Sequence, residues 1–240
     1  MANPKNNPRL VDRDHEILAH VMRYRLSTPE VLHSLYFSDC ERNAVTKVTK
    51  RLCEHEFLAA HPLYDRYIYF TLGKRGARVH GISPKKAVFR GAQSLYREFG
   101  TMAFCVRRSP ERERLRSGEF RLHYPTLVTG RVDTSHYFLE SVERAGEAGR
   151  KRLGYVWVDG AGPIDHIVRT LKSDVIEPRY ALPDFRRLID AGRFVIAVVT
   201  LTEGKREQLA RILPKIPAPI SFYVEVVPEL VHLLPGLKNV

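Results

Sequence analysis

The sequence lacks most of the short signatures that announce catalysis, metal binding or membrane insertion. Its ten histidines form no HxxxH, HExxH or HxH pair, and there is no GxSxG elbow, P-loop or GxGxxG turn. Only three cysteines are present, Cys40, Cys53 and Cys105, an odd set without CxxC or zinc-ligand spacing. All three stand in apolar or helical surroundings and are expected to be buried free thiols in a reducing compartment. No run approaches the ~18–20 apolar residues needed to span a bilayer. The opening MANPKNNPRLVDRD has no apolar core of a secretory signal. Low-complexity tracts and internal repeats are also missing. These absences argue against a metalloenzyme, a nucleotide-dependent enzyme of the usual motifs and a membrane protein. A cytoplasmic chain without a cofactor is expected.

What the chain has is positive charge. Thirty-nine Lys and Arg against 27 Asp and Glu give a net +12 and a pI near 9.8. The excess is uneven: residues 1–120 carry +9 and residues 121–240 only +3. A polyanionic partner suits such a balance, because counterions released on contact drive association. Nucleic acid bound by the N-terminal half is the leading expectation.

Organisation along the chain supports that. Residues 1–9 read as a polar leader. From Val11 the apolar residues Ile17, Leu18, Val21 and Met22 fall at helical spacing, with Asp12 or Asp14 as candidate caps. Ser27-Thr28-Pro29-Glu30 gives a cap and a proline in the first turn of a short second helix, through about Tyr36. A third, capped by Ser38 or Asp39, covers Glu41–Cys53. The period then changes from 3.6 to 2: strands are expected at Phe57–Pro62 and Arg66–Leu72, with a turn at Leu63–Asp65. A short basic helix follows from Gly73. Three helices and a hairpin are the order of a winged helix-turn-helix, placed at residues 10–82. Residues 83–118 read as a helical connector, helical around Ala87, Val88, Leu95, Phe99, Met102 and Phe104, and then charged, with a break at Ser109-Pro110. An α/β domain is expected at 119–240, with strands at Phe120–Tyr124, Asp133–Leu139, Tyr155–Val158, Phe194–Thr200 and Ser221–Val227. Helices near 163–174, 183–191 and 204–213 imply a parallel or mixed sheet wrapped by helices. The fold class is thus α+β.

In a helix-turn-helix the second helix of the motif enters the major groove. Here Val45, Val48 and Leu52 face the core, leaving Arg42, Asn43, Thr46, Lys47, Thr49, Lys50 and Arg51 outward. Arg and Asn pair bidentately with guanine and adenine edges, whereas Lys and Thr more often take phosphates. Arg42, Asn43, Thr46 and Lys47 are therefore the candidates for base reading, and Lys50 and Arg51 for the backbone. Arg66 and Tyr67 near the wing tip, with Lys74, Arg75 and Arg78, are candidates for further contacts. A merely solvated basic face would have the same composition. Its place after a short capped helix and before a hairpin favours DNA.

Val11-Asp12-Arg13-Asp14 before an apolar helix, the helix pair, and Tyr69-Phe70-Thr71-Leu72-Gly73-Lys74-Arg75-Gly76 together resemble the replication-relaxation family of plasmids and other mobile elements. The resemblance implies a C-terminal domain similar to the restriction-endonuclease fold, with an Asp leading a strand, a strand reading Leu-Glu-Val-Asp and a Lys on the next helix. Arg131-Val132-Asp133-Thr134, Tyr155-Val156-Trp157-Val158-Asp159-Gly160 and Lys172 fit these elements. Val195–Thr200 followed by Lys205-Arg206 fits the family's later strand and basic helix start. Trp157 stands where a nuclease of this type places its central metal-binding acid. A nuclease needs clustered carboxylates for Mg²⁺, so the second domain is expected to be an inactive relative. Asp133 and Asp159 read equally well as a strand-start acid and a turn residue. Glu140 and Glu143 read as solvated, and Trp157 as core.

Three functions follow as expectations. The first is a double-stranded DNA-binding protein of a mobile element, acting as a homodimer in plasmid replication, relaxation or mobilisation. The second is a transcription regulator with a C-terminal dimerisation or effector domain. The third is a Mg²⁺-dependent nuclease using Asp133, Asp159 and Lys172.

Overall fold

The computed structural model describes residues 9–83, 92–107, 111–129, 133–142 and 150–234. Ala87 and Val88, Ser109-Pro110, Arg131-Val132 and Glu143 lie outside them. The chain divides into two compact units, Met1–Phe99 and Gly100–Val240.

The first unit begins with α1 (Asp12–Tyr24), α2 (Pro29–Tyr36) and α3 (Arg42–Glu54). Val11, rather than Asp12 or Asp14, occupies the N-cap of α1; Asp14 sits in the first turn and accepts a hydrogen bond from the Val11 N–H at 3.0 Å. For α2 the expected cap is present: the Thr28 hydroxyl accepts from Val31 N–H, and Pro29 follows. Ser38 and Asp39 do not cap α3. They bond to each other in the preceding turn, and Glu41 holds the cap position without a side-chain hydrogen bond.

Strands β1 (Leu58–Tyr64) and β2 (Tyr67–Leu72) form an antiparallel hairpin. Its turn falls at Asp65-Arg66, two residues later than the sequence suggests, because Tyr64 pairs with Tyr67 and their rings meet at 4.9 Å. Asp65 takes the left-handed conformation (φ +46°) that such a tight turn needs and that Asp tolerates better than most residues. The Ser27 backbone adds a further antiparallel pair to β2 at Phe70. Helix α4 (Lys74–Val79) follows. Ile17, Leu18 and Val21 of α1, Leu32 of α2, Val45 and Leu52 of α3, and Phe57, Phe70 and Leu72 around the hairpin fill one core.

His20 is buried at the edge of this core, between the rings of Tyr24 and Tyr36 and 3.1 Å from the Ser27 hydroxyl. Desolvation, helped by the charge of Arg23, pushes its pKa from 6.5 down to about 4.

Helix α5 (Ala92–Val106) runs across the division between the units. In the second unit, β3 (Arg112–Arg114), β4 (Tyr137–Val142), β5 (Arg150–Val158), β6 (Phe194–Thr200) and β7 (Ser221–Val226) form one mixed sheet in that order. The first three strands pair antiparallel and the last three parallel. Every residue of β6 is buried, as a central strand covered on both faces must be. Phe104 of α5 packs edge-on against Phe138 on one face. Ile167, Leu171, Val175, Ile176, Phe185, Ile189, Leu209 and Leu213 join Tyr137, Leu153, Phe194, Ile196 and Val198 of the sheet in one core.

Three expectations change here. The strand expected at Asp133–Leu139 begins only at Tyr137, after a bend at Ser135-His136. The charged part of the connector contains an edge strand: Arg112 and Arg114 are buried, and Arg112 lies 4.0 Å over the Phe104 ring. Phe120–His123 belongs to helix α6 (Ser117–His123), with Tyr124 at its C-cap, and not to a strand. Glu119 accepts from the Arg116 N–H at 2.9 Å, closing its first turn, and Phe120 stacks on Tyr137 at 4.1 Å.

Helix α7 (Ile164–Thr170) continues through a π-helical stretch, Leu171–Ile176, into α8 (Glu177–Tyr180). Pro178 offers no N–H to the carbonyl four residues back, and the widened turns precede it. Helices α9 (Pro183–Asp190) and α10 (Glu203–Ile212) complete the layer.

Two measurements check this packing. The unfolded chain takes a proton on His20 below about pH 6.5, whereas the folded chain resists until about pH 4. Stability of the first unit is therefore full above the unfolded value and falls by about 3 kcal/mol across that window. Hydrogen exchange of α1 amides against pH should show that slope, and His20→Gln should flatten it. In the sheet, a Cβ at Gly154 would lie 2.1 Å from the Phe138 ring of its cross-strand partner. Gly154→Ala should cost about 1–3 kcal/mol in denaturant unfolding followed by the single tryptophan.

Candidate functional site

Helix α3 exposes Arg42, Asn43, Thr46, Lys47 and Lys50 as expected, but buries Thr49, which the helical spacing places outward. Thr49 turns inward, its hydroxyl donating to the Val45 carbonyl at 2.8 Å, and Val45 and Leu52 anchor the helix to the core. Arg42, Asn43, Thr46 and Lys47 are exposed, and none of the four side chains has a hydrogen-bond or ion-pair partner among the described residues. They occupy the first half of the helix on successive turns. Such a row offers a guanidinium fork, an amide, a hydroxyl and an ammonium to one ligand surface.

The other candidates are differently placed. Lys50 lies 4.0 Å from Glu54 one turn on, and Lys74 3.8 Å from Glu56, both in exposed pairs of little energetic weight. Arg66 is exposed at the hairpin turn beside half-exposed Tyr67 and Ile68. Arg78 is exposed on α4. Arg75 lies 4.6 Å over the Phe57 ring, so its side chain covers the core edge. Arg51 is joined to Asp14 at 2.6 Å. Sequence reasoning missed that pair because its members are 37 residues apart. Cys40 is exposed in the turn before α3, Cys53 is half-buried and Cys105 is buried, so only one of the three matches the buried expectation.

In the second unit the structure separates the three acidic and basic candidates by environment. Asp133, exposed ahead of β4, accepts from the amide and hydroxyl of Ser135 at 2.8 and 2.6 Å. Partial desolvation opposes its ionisation, but those bonds and the charges of His136 and Arg179 outweigh it and hold the carboxyl below its usual range. Asp159, at the end of β5, has no exposed surface. One oxygen accepts from the Gly162 N–H at 3.1 Å; the other accepts from Lys205 Nζ at 2.6 Å and the Thr200 hydroxyl at 3.3 Å. Lys172 is exposed in the π-helical stretch and makes no hydrogen bond or ion pair with either acid. Lys205, on the first turn of α10, is the lysine that reaches Asp159. Trp157 is half-buried against the core. Among the described residues no group of three or more His, Cys, Asp or Glu is placed to hold a metal ion. The donors around Asp159 do not fit Mg²⁺, since an ammonium and two hydrogen-bond donors already occupy its oxygens.

Glu140 is not solvated. Its side chain is fully buried between Arg152, which bonds it directly, and Arg112, whose Nε lies 3.7 Å away. Arg112 also donates to Glu225 at 2.7 Å, and Tyr223 joins Arg152 and Glu140. The network ties β3, β4, β5 and β7 together. Neighbouring arginines on β3 and β5 were the available signal, once the strands were paired in register.

Compared with family models, curated proteins and solved structures, the chain matches none of them. Among the described residues no helix is long and apolar enough to cross a membrane.

The Asp159–Lys205 pair carries a direct test. Lys205→Ala leaves a carboxylate buried without its cation, which should cost the second unit about 3 kcal/mol in denaturant unfolding read by Trp157. Asp159→Asn in the same chain should recover part of that loss. Millimolar Mg²⁺ should leave the wild-type midpoint unmoved; a rise would reveal a cation site.

Proposed function

We propose that the first unit is a winged helix-turn-helix that binds double-stranded DNA, with α3 in the major groove. The observation that carries this reading is the exposed row Arg42, Asn43, Thr46 and Lys47, without side-chain partners among the described residues, on the third helix of a three-helix, hairpin order. Side chains that spend no bonding capacity on the described residues keep it for a ligand. The net charge of +12 favours a polyanion, and Ser27 pairing with β2 gives the hairpin a third backbone partner from the α1–α2 segment.

The second unit is read as a non-cutting relative of the nuclease-like fold that the resemblance to the replication-relaxation family implies. In support of this reading, Asp133 precedes β4 by four residues, Asp159 directly follows β5, and Lys172 stands in the π-helical stretch after it. Both oxygens of Asp159 nevertheless accept hydrogen bonds, from Lys205, Thr200 and Gly162, and Trp157 stands where that pattern has its central acid. These features favour a DNA-binding role in replication or mobilisation of a mobile element over Mg²⁺-dependent cleavage. Two copies reading two half-sites are the natural assembly for such a module.

Fluorescence anisotropy with labelled duplex over a salt series tests the reading. Wild-type affinity should fall steeply and linearly in log–log form with salt. Arg42→Ala should cost about 1–3 kcal/mol on the preferred duplex and much less on random sequence. Lys47→Ala should weaken binding as well. Unchanged affinity in both variants would remove α3 as the reading element.

A further inference from the structure

The sequence groups Arg51 with the cations that contact a DNA backbone, yet the structure gives it a different partner. Its Nη2 donates to Asp14 Oδ1 at 2.6 Å, while Asp14 Oδ2 accepts from the Val11 N–H at 3.0 Å. Asp14 is 1% exposed and the Arg51 side chain 38%. One carboxylate thus closes the first turn of α1 and grips the last turn of α3 at once.

We propose that Arg51, through Asp14, is a positioning residue that fixes the rotation of α3 about its own axis, and that it does not touch the nucleic acid. The proposal rests on the DNA-binding reading above. Asp14 has no room for water, so releasing Arg51 to reach a phosphate would strand a buried charge; that loss exceeds what a screened surface contact returns. The rest of the α3 anchorage is apolar, through Val45 and Leu52, and apolar contacts are non-directional. The backbones of α1 and α3 approach closely at few points. A directional tie at Arg51 therefore controls how the helix is turned. Lys47 and Asn43 stand one and two turns before Arg51 on the same side of α3, so a small rotation displaces both. Hydrogen bonds to base edges weaken steeply with misalignment, whereas diffuse attraction to phosphates does not.

The position of Asp14 makes the test clean, since a buried carboxylate on α1 offers no surface to a ligand. Asp14→Asn keeps an amide oxygen to accept from Val11 and turns an NH₂ toward Arg51, breaking only the pair. The full-length wild type, Asp14→Asn, Arg51→Ala, Arg51→Lys and Lys47→Ala are compared on a duplex enriched from a random pool by the wild type, and on the unenriched pool. Binding is measured over a salt series well below each melting temperature. Asp14→Asn and Arg51→Ala should both lower the enriched-to-random affinity ratio on the order of tenfold, with the salt slope unchanged. Arg51→Lys should restore much of the ratio, and Lys47→Ala should reduce the slope by about one. A slope reduced by about one in Arg51→Ala, with Asp14→Asn like wild type, would make Arg51 a phosphate contact and overturn the proposal. Lower melting temperatures with an unchanged ratio would overturn it too, leaving only a stability role. Absence of salt-dependent duplex binding by the wild type would instead sink the DNA reading, and the Arg51 role with it.

Discussion

A carboxylate that has lost its water must find a cation, and both units of this chain are organised around that requirement. In the first, Asp14 is buried between the start of α1 and the end of α3, with Arg51 as its counter-charge. The consequence is architectural: with Arg51 drawn back to α1 and Thr49 turned to the Val45 carbonyl, the outward face of α3 is left to Arg42, Asn43, Thr46, Lys47 and Lys50. The first four have no partner among the described residues, which separates them from the many surface charges here that pair locally.

The second unit meets the same constraint twice. Asp159 at the end of β5 is neutralised by Lys205 from α10, and Glu140 on β4 by Arg152 and Arg112 from the strands on either side. Buried pairs of this kind contribute little net stability against an apolar replacement, but removing one member is costly. Each pair joins separate elements: β5 to α10 through Asp159 and Lys205, and β4 to β3 and β5 through Glu140. Both oxygens of Asp159 have hydrogen-bond donors, one on Oδ1 and two on Oδ2.

What the sequence revealed follows from the range of each signal. The span of β6 is legible because its seven residues are uniformly apolar, and the start of α2 because Thr28-Pro29 carries its own cap. The row on α3 could be identified from helical spacing alone. Local signals failed where a partner lies far along the chain. Arg51 looks like any exposed cation until Asp14 is placed beside it; Arg112 reads as linker charge until β3 pairs with β4. Glu140 reads as solvated for the same reason. The helix at Ser117–His123 was hidden differently: Phe120 carries most of its burial, so no periodic stripe exists, and its closure depends on Glu119 reaching back to the Arg116 N–H.

Hydrogen–deuterium exchange of the whole chain, with and without a duplex at low salt, shows where DNA lies on it. With α3 in the groove, protection should concentrate there, above all from Arg42 to Lys50, with a smaller effect at the hairpin turn around Arg66. Protection confined to the second unit, or none anywhere on duplex addition, would contradict that placement.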